Sequence, residues 1–455
     1  MASFSGLSTE LLVAVFGALN PPDQARLSSA CRRLRDVGLH QAFIFKSLSL
    51  TWARTHVSDS ALLVVRKYGA MVRELIFFVD PPFYPDGGGD GRDKTAPPLP
   101  ASFVALLTGR DESGAALPLS HLDRIVLEFP STFEVKPKDG GKRAYGQGKC
   151  LYFDCYGHEA PVIRNNALVD TVMEALARRG DAAATTKPIT SLKLANFPPR
   201  ECPSLSTDEW RRFLSRMQDF DLSLYGDGVE PDKLFVTNNQ VAYLNLRDRL
   251  GDLILNRLPQ ARRLRFYGSQ YAPLGAHFER TEDLPWDPTT APLLQELELG
   301  YIFVGSELAS LLQKPGKNAA RRPLSVTLAN ADAHGSPDWE DETECITWAR
   351  FFDVLVEQGA RFSVFNVTPT RTGFDDYEES DWQTVENPTP TEDAIACREK
   401  LAANPGLSVF TYGRVTDKYA DWWPDLEETM QSFLAGHDQA AYERFMEEAV
   451  KNRHE

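Results

Sequence analysis

Short apolar runs of two different periods alternate along most of this 455-residue chain, and that alternation restricts the fold more than any other feature. Nine segments read as strands, most with apolar residues at every second position. They are 73–79 (RELIFFV), 124–129 (RIVLEF), 191–197 (SLKLANF), 221–225 (DLSLY), 262–268 (RRLRFYG), 294–300 (LQELELG), 324–330 (LSVTLAN), 362–367 (FSVFNV) and 407–412 (LSVFTY). Stretches of helical spacing separate them, among them Asn165–Arg179, Thr207–Met217, Gly305–Gln313, Ile346–Gln358 and Thr391–Ala402. The fold class this predicts is α/β.

With Leu192, Leu222, Leu264, Leu297, Val326 and Val364 as strand markers, the steps are 30, 42, 33, 29 and 38 residues, a loose repeat. An asparagine closes two of the strands, in LKLANF and VTLAN. We therefore expect an irregular, leucine-rich-repeat-like α/β solenoid with strands on one side and helices on the other, the alternative being a compact doubly wound α/β domain. This region is expected to span 51–424. It carries loops at 80–100, 136–149, 330–344 and 371–390, which are rich in Pro, Gly or acidic residues. Residues 425–455 read as two capping helices, with Met430, Phe433 and Leu434 on one apolar face and Tyr442, Phe445 and Met446 on the other.

The first fifty residues differ in character. Ser8 or Thr9 can cap a helix whose stripe is Leu11, Leu12, Val15, Phe16 and Leu19. Pro21 and Pro22 stop it and open a second helix with Leu27, Ala30, Cys31 and Leu34 on one face. A third short helix is expected in His40–Leu48. The run Leu11–Leu19 makes a poor secretory signal, because residues 2–10 contain Glu10 and no Lys or Arg. Helices this short cannot bury all their apolar surface among themselves, so the remainder meets either the following domain or a partner.

This stretch resembles an F-box of the fungal type. The matching residues are Leu7, Glu10, Leu11, Leu12, Val15, Phe16, Leu19, Pro22, Asp23, Leu27, Cys31, Arg32, Leu34 and Arg35, with departures at Ser8, where the family has proline, and Gln24, where leucine is common. The resemblance covers about a tenth of the chain. It implies that Leu7, Glu10, Leu11, Leu12, Val15, Phe16, Leu19, Pro22, Asp23, Leu27, Cys31 and Leu34 bind a Skp-type adaptor and through it a cullin, making the protein a substrate receptor of an SCF-type ubiquitin ligase. It would be neither an enzyme nor a cofactor protein, and would reside in the cytoplasm or nucleus. The repeat region would hold an unidentified client, with Trp339, Asp341 and Trp382 in the acidic loops as candidate contacts. A scaffold in which the N-terminal helices only cap the repeat domain is the alternative.

Forty-nine basic residues against 64 acidic ones give a net charge of −15, which disfavours nucleic acid and anionic membranes as partners. Six cysteines form no dense framework, and no apolar run approaches the length of a membrane span. GGGDGRDKT lacks the phosphate-loop spacing, and no GxSxG, HExxH or paired CxxC motif occurs. The nearest approach to a metal-ligand set is Cys150, Asp154, Cys155 and His158, one short segment that does not supply a closed site by itself.

Overall fold

In a computed structural model, the described residues are 7–19, 21–40, 44–51, 55–79, 98–130, 159–179, 188–226, 237–269, 271–277, 280–313, 323–334, 346–369, 374, 391–415 and 422–451. They are mixed α/β, with thirteen α-helices and eleven strands of mostly parallel pairing, besides a small two-stranded hairpin. The chain divides into two compact units, Met1–Pro130 with Glu159–Leu194 and Cys202–Arg216, and Ser131–His158 with Ala195–Glu201 and Met217–Glu455.

The first unit opens with α1 (Thr9–Ala18), α2 (Pro21–Ala30) and α3 (Arg32–His40). Two local expectations change here. The second helix breaks at Cys31, which lets α3 turn Leu34 and Val37 into the core shared with Leu12 and Phe16. The helix expected at 40–48 is not found at 44–48, among the described residues. Residues 44–46 are a turn, and Ser47–Thr51 is β1, paired in parallel with β2 (Glu74–Phe78). Ser-Leu-Ser-Leu-Thr alternates at period two, so strand pairing decides the local structure. Gly38 permits the turn, since a Cβ there would meet the Ile44 side chain and lie 3.3 Å from the Phe16 ring.

Then follow α4 (Thr55–Tyr68), α5 (Ala101–Thr108), β3 (Arg124–Glu128), α6 (Glu159–Arg178), the start of β4 (Ser191–Phe197) and α7 (Asp208–Leu214). Strand order in this unit is β1-β2-β3-β4. Leu75 and Phe77 of β2 and Ile125 and Leu127 of β3 are fully buried, with Phe77 packed edge-on against Phe103 of α5 at 5.0 Å. Arg179 closes the C-terminus of α5 by donating to the carbonyls of Leu106 (2.9 Å) and Leu107 (3.0 Å). Burial pulls its pKa down to about 10, leaving it a cation at neutral pH.

The second unit holds the end of β4, then β5 (Asp219–Leu224), α8 (Val241–Leu253), β6 (Arg263–Tyr267), the hairpin β7 (Ala276–His277) and β8 (Arg280–Thr281), β9 (Glu296–Val304) and α9 (Ser306–Gln313). After these come β10 (Leu324–His334), α10 (Trp348–Glu357), β11 (Phe362–Thr368), α11 (Glu392–Ala403), β12 (Thr411–Val415), β13 (Trp422–Asp425), α12 (Leu426–Ala435) and α13 (His437–Lys451). The order is β5-β6-β9-β10-β12-β13. β10 is long enough to carry β11 along its first half and β12 along its second. β13 is antiparallel to β12 and contains Pro424.

Within this unit, Trp348, Phe351 and Phe352 of α10 pack on Phe365 of β11, Phe410, and Tyr442 and Phe445 of α13, with ring centroids about 5–6 Å apart. Asp438 at the start of α13 accepts the Tyr412 hydroxyl (2.9 Å), the Ala349 amide (2.8 Å) and the Ser432 hydroxyl. Asp438 thus ties α13 to α10, α12 and β12, and burial beside it pushes the Tyr412 phenol well above its ordinary range.

Candidate functional site

Two surfaces carry the functional question, the outer face of α1–α3 and the open face of the β5–β6–β9 strands. In α1 Ser8 takes the cap position, its Oγ accepting the Leu11 amide at 3.4 Å. The Glu10 backbone amide and the Ser8 hydroxyl hold the Glu10 carboxyl below its ordinary pKa. At the other end of α1, Gln24 Nε2 donates to the carbonyls of Phe16 (2.9 Å) and Leu19 (3.0 Å). The two departures from the F-box pattern therefore cap the two ends of α1, which a side chain of proline or leucine could not do by hydrogen bonding.

The apolar stripe splits in two. Leu12 and Phe16 are fully buried and Leu34 is 4% exposed, so these three fill the core between the helices. Leu11 points outward at 55% exposure, and Leu7, Val15, Leu19, Leu27 and Cys31 are half-buried. Glu10 is exposed, Asp23 pairs with Arg26 at 2.9 Å, and Pro22 is the second residue of α2. Arg33 donates to the Leu7 carbonyl (2.7 Å) and ties the entering chain to α3. Among the described residues, those of this small core lie between Leu7 and Ile44, so the helices close on one another.

The second surface was not anticipated. β5, β6 and β9 bury Phe220, Leu222, Leu264, Phe266, Leu297 and Leu299 on one face. The opposite face presents two rows in register, Asp219–Arg263–Glu296 and Asp221–Arg265–Glu298. Parallel sheets are ordinarily covered on both faces, so a charged row on one of them marks an open side. Arg263 Nε meets Asp219 at 2.9 Å and Glu296 at 3.8 Å, and Arg265 meets Glu298 at 2.8 Å and Asp221 at 3.8 Å. Tyr267 donates to Glu298, and burial followed by that bond raises its pKa well above the phenol range. Gly300 is required beside it, because a Cβ there would overlap the Tyr267 ring. The signal was legible as a two-residue spacing of like charges in three successive strands.

The next register row ends in backbone of left-handed conformation. Tyr301 (φ 52°) and Asn330 (φ 50°) stand opposite each other between β9 and β10, and Asn196 (φ 52°) occupies the end of β4. Asparagine tolerates this region, which accounts for the residue that closes LKLANF and VTLAN.

Trp339, Asp341 and Trp382, the candidate client contacts, lie outside the described residues, as do Cys150, Asp154, Cys155 and His158. Among the described residues no three of His, Cys, Asp or Glu are grouped to hold a metal, and no helix is long and apolar enough to cross a membrane. A cleft of about 240 Å³ between α11, α12 and α13 contains Lys400, whose ammonium is spent on the carbonyls of Phe433 (2.7 Å) and Leu434 (2.9 Å). No family model matches the sequence, and no curated protein is similar to it.

Proposed function

We propose that the chain is a substrate receptor of an SCF-type ubiquitin ligase, with α1–α3 as the docking site for a Skp-type adaptor and the α/β region as the client-holding part. The observation that carries this reading is the division of labour in the N-terminal stripe. Leu12, Phe16 and Leu34 complete a core of their own, while Leu11 stays outward among half-buried apolar neighbours. A helical cap would instead spend that stripe against the rest of the chain. An outward apolar patch on short helices suits a protein interface.

The α/β region is read as a leucine-rich-repeat-like solenoid. Strand order following chain order within each unit supports this, since a doubly wound sheet reverses direction midway. Catalysis in such a complex comes from proximity, the receptor holding a client beside a ubiquitin-charged enzyme.

The test is capture of a purified Skp-type adaptor by the full chain and by its Leu11→Asp variant. Leu11 is exposed, so the variant is expected to keep the wild-type melting temperature and to lose adaptor binding at least about tenfold. No capture by the wild type, or equal capture by the variant, would overturn the proposal.

A further inference from the structure

The passage from the three N-terminal helices to the strands of the first unit runs through three consecutive residues, each held by a different partner. Ile44 packs into the core of α1–α3, with Leu12, Phe16, Leu34 and Val37. The Phe45 ring stacks on Tyr68, the last residue of α4, with centroids 4.9 Å apart and planes 13° from parallel. The Lys46 carbonyl accepts the amides of Arg73 (2.9 Å) and Glu74 (3.0 Å) at the start of β2. β1 follows at once, and α4 packs on β1 and α5, so Tyr68 belongs to the strand-bearing part. The Lys67 ammonium lies 5.1 Å from the centroid of the Tyr68 ring and adds a cation–π contact to it. Both rings are half-buried, and neither is a member of the α1–α3 core.

We propose that the Phe45–Tyr68 stack is an orienting joint, which sets the angle at which α1–α3 stand on α4, β1 and β2. Parts of a chain that are joined by a few residues swing about them unless a contact braces the connection. Ile44 is anchored on the helical side and Lys46 on the strand side, so Phe45 between them is where such a swing would take place. Its ring meets α4 face to face, and a stacked pair has a preferred geometry that tilting destroys. A partner bound to α1–α3 is thereby held at one orientation to the strands of the first unit. The same holds for any partner of those helices, so the inference does not rest on the receptor reading above.

The experiment places spin labels on the full chain at Ala30 in α2 and at Glu112 before β3, both exposed, and reads the distribution of distances between them. Non-canonical residues carry the labels, which leaves the six native cysteines untouched. The wild type is expected to give one narrow distance. Phe45→Ala is expected to lose it in favour of a broad distribution, and Tyr68→Ala, which removes the other ring, to do the same. Phe45→Tyr keeps a ring and is expected to retain the narrow distance, an outcome that separates stacking from a general loss of packing. Hydrogen exchange on the same samples is expected to leave α1, α3, β2 and β3 protected in every variant, so that both parts remain folded while their relative orientation is released. A broad distribution in the wild type, or an unchanged narrow distance in either alanine variant, would refute the joint. Broadening that comes only with lost protection in α1–α3 would refute it as well, because unfolding rather than swinging would then account for the signal.

Discussion

At the scale of single residues, the most informative positions are those where the chain departs from a familiar pattern. Gln24 stands where the F-box pattern commonly has leucine, and its amide donates to the carbonyls of Phe16 and Leu19 at the C-terminal end of α1. Replacing it with alanine should cost about 1 kcal/mol, the ordinary net worth of such bonds. Faster amide exchange in α1, with α12 and α13 unaffected, is the measurement that checks it. Glu428 behaves in the opposite sense. Burial first, then the charges of Asp425, Asp438 and Glu427, raises its carboxyl pKa above the ordinary value. A raised carboxylate pKa means that the folded state prefers the proton. The penalty is therefore absent below the unfolded pKa and complete once the pH exceeds the folded one. Glu428→Gln should accordingly melt about 1 °C higher than wild type at pH 7 and at the same temperature near pH 3. The first of these effects was not visible in the sequence, because a glutamine that caps a helix five and eight residues upstream follows no local rule. The second depends on burial and on Asp438, which only folding brings beside Asp425, Glu427 and Glu428.

Elements were legible where their period was strong and were misread where tertiary pairing overruled it. Each of the nine strand segments overlaps an observed strand, although 407–412 overlaps β12 only at Thr411 and Tyr412. The five helical stretches likewise coincide with helices, whereas α4, α5 and α8 were not expected. The turn at 44–46 and the strand at Ser47–Thr51 exist because β2 is there to receive them, and no window of nine residues contains that information. Among the described residues, the three N-terminal helices form a core drawn from Leu7 to Ile44, and this makes a testable statement about cooperativity. Phe16→Ala should cost about 3–5 kcal/mol by emptying that core. The loss should appear as rapid proteolysis and exchange in α1–α3, while the aromatic core around Phe352 keeps its protection. Simultaneous loss of protection in both regions would show the module to be welded to the rest. The exposed side chain of Leu11 lies on the same helix and faces away from that core, so one stripe in the sequence divides into a buried half and an outward half in the structure.

At the scale of the whole molecule, the strands along the main path of the sheet follow chain order, with β11 off that path on β10 and β7–β8 apart as a hairpin, so most contacts of a strand are with its sequence neighbours. On the solenoid reading proposed above, stability is lost locally, in steps that follow nearest neighbours. Phe352 of α10 touches Trp348, Phe365, Phe410, Tyr442 and Phe445, all within the second unit. Phe352→Ala should cost about 3–5 kcal/mol there. Hydrogen exchange should rise first in α10, β11 and α13, with β2 and β3 retaining wild-type protection. The α/β class and the alternation of elements were readable because burial imposes its period on the residues themselves. The charged face of β5, β6 and β9 was harder to see, since Asp219, Arg263 and Glu296 stand far apart in the sequence and become one row only through register. The last strand has a further consequence. A parallel row of strands has no inherent reason to stop, and its free margin can recruit the same margin of another copy. β13 turns back on β12, is four residues long and places Pro424, which has no amide hydrogen, at that margin. The chain thereby ends its own series and resists being continued by a neighbour, a safeguard against fibre growth written into four residues.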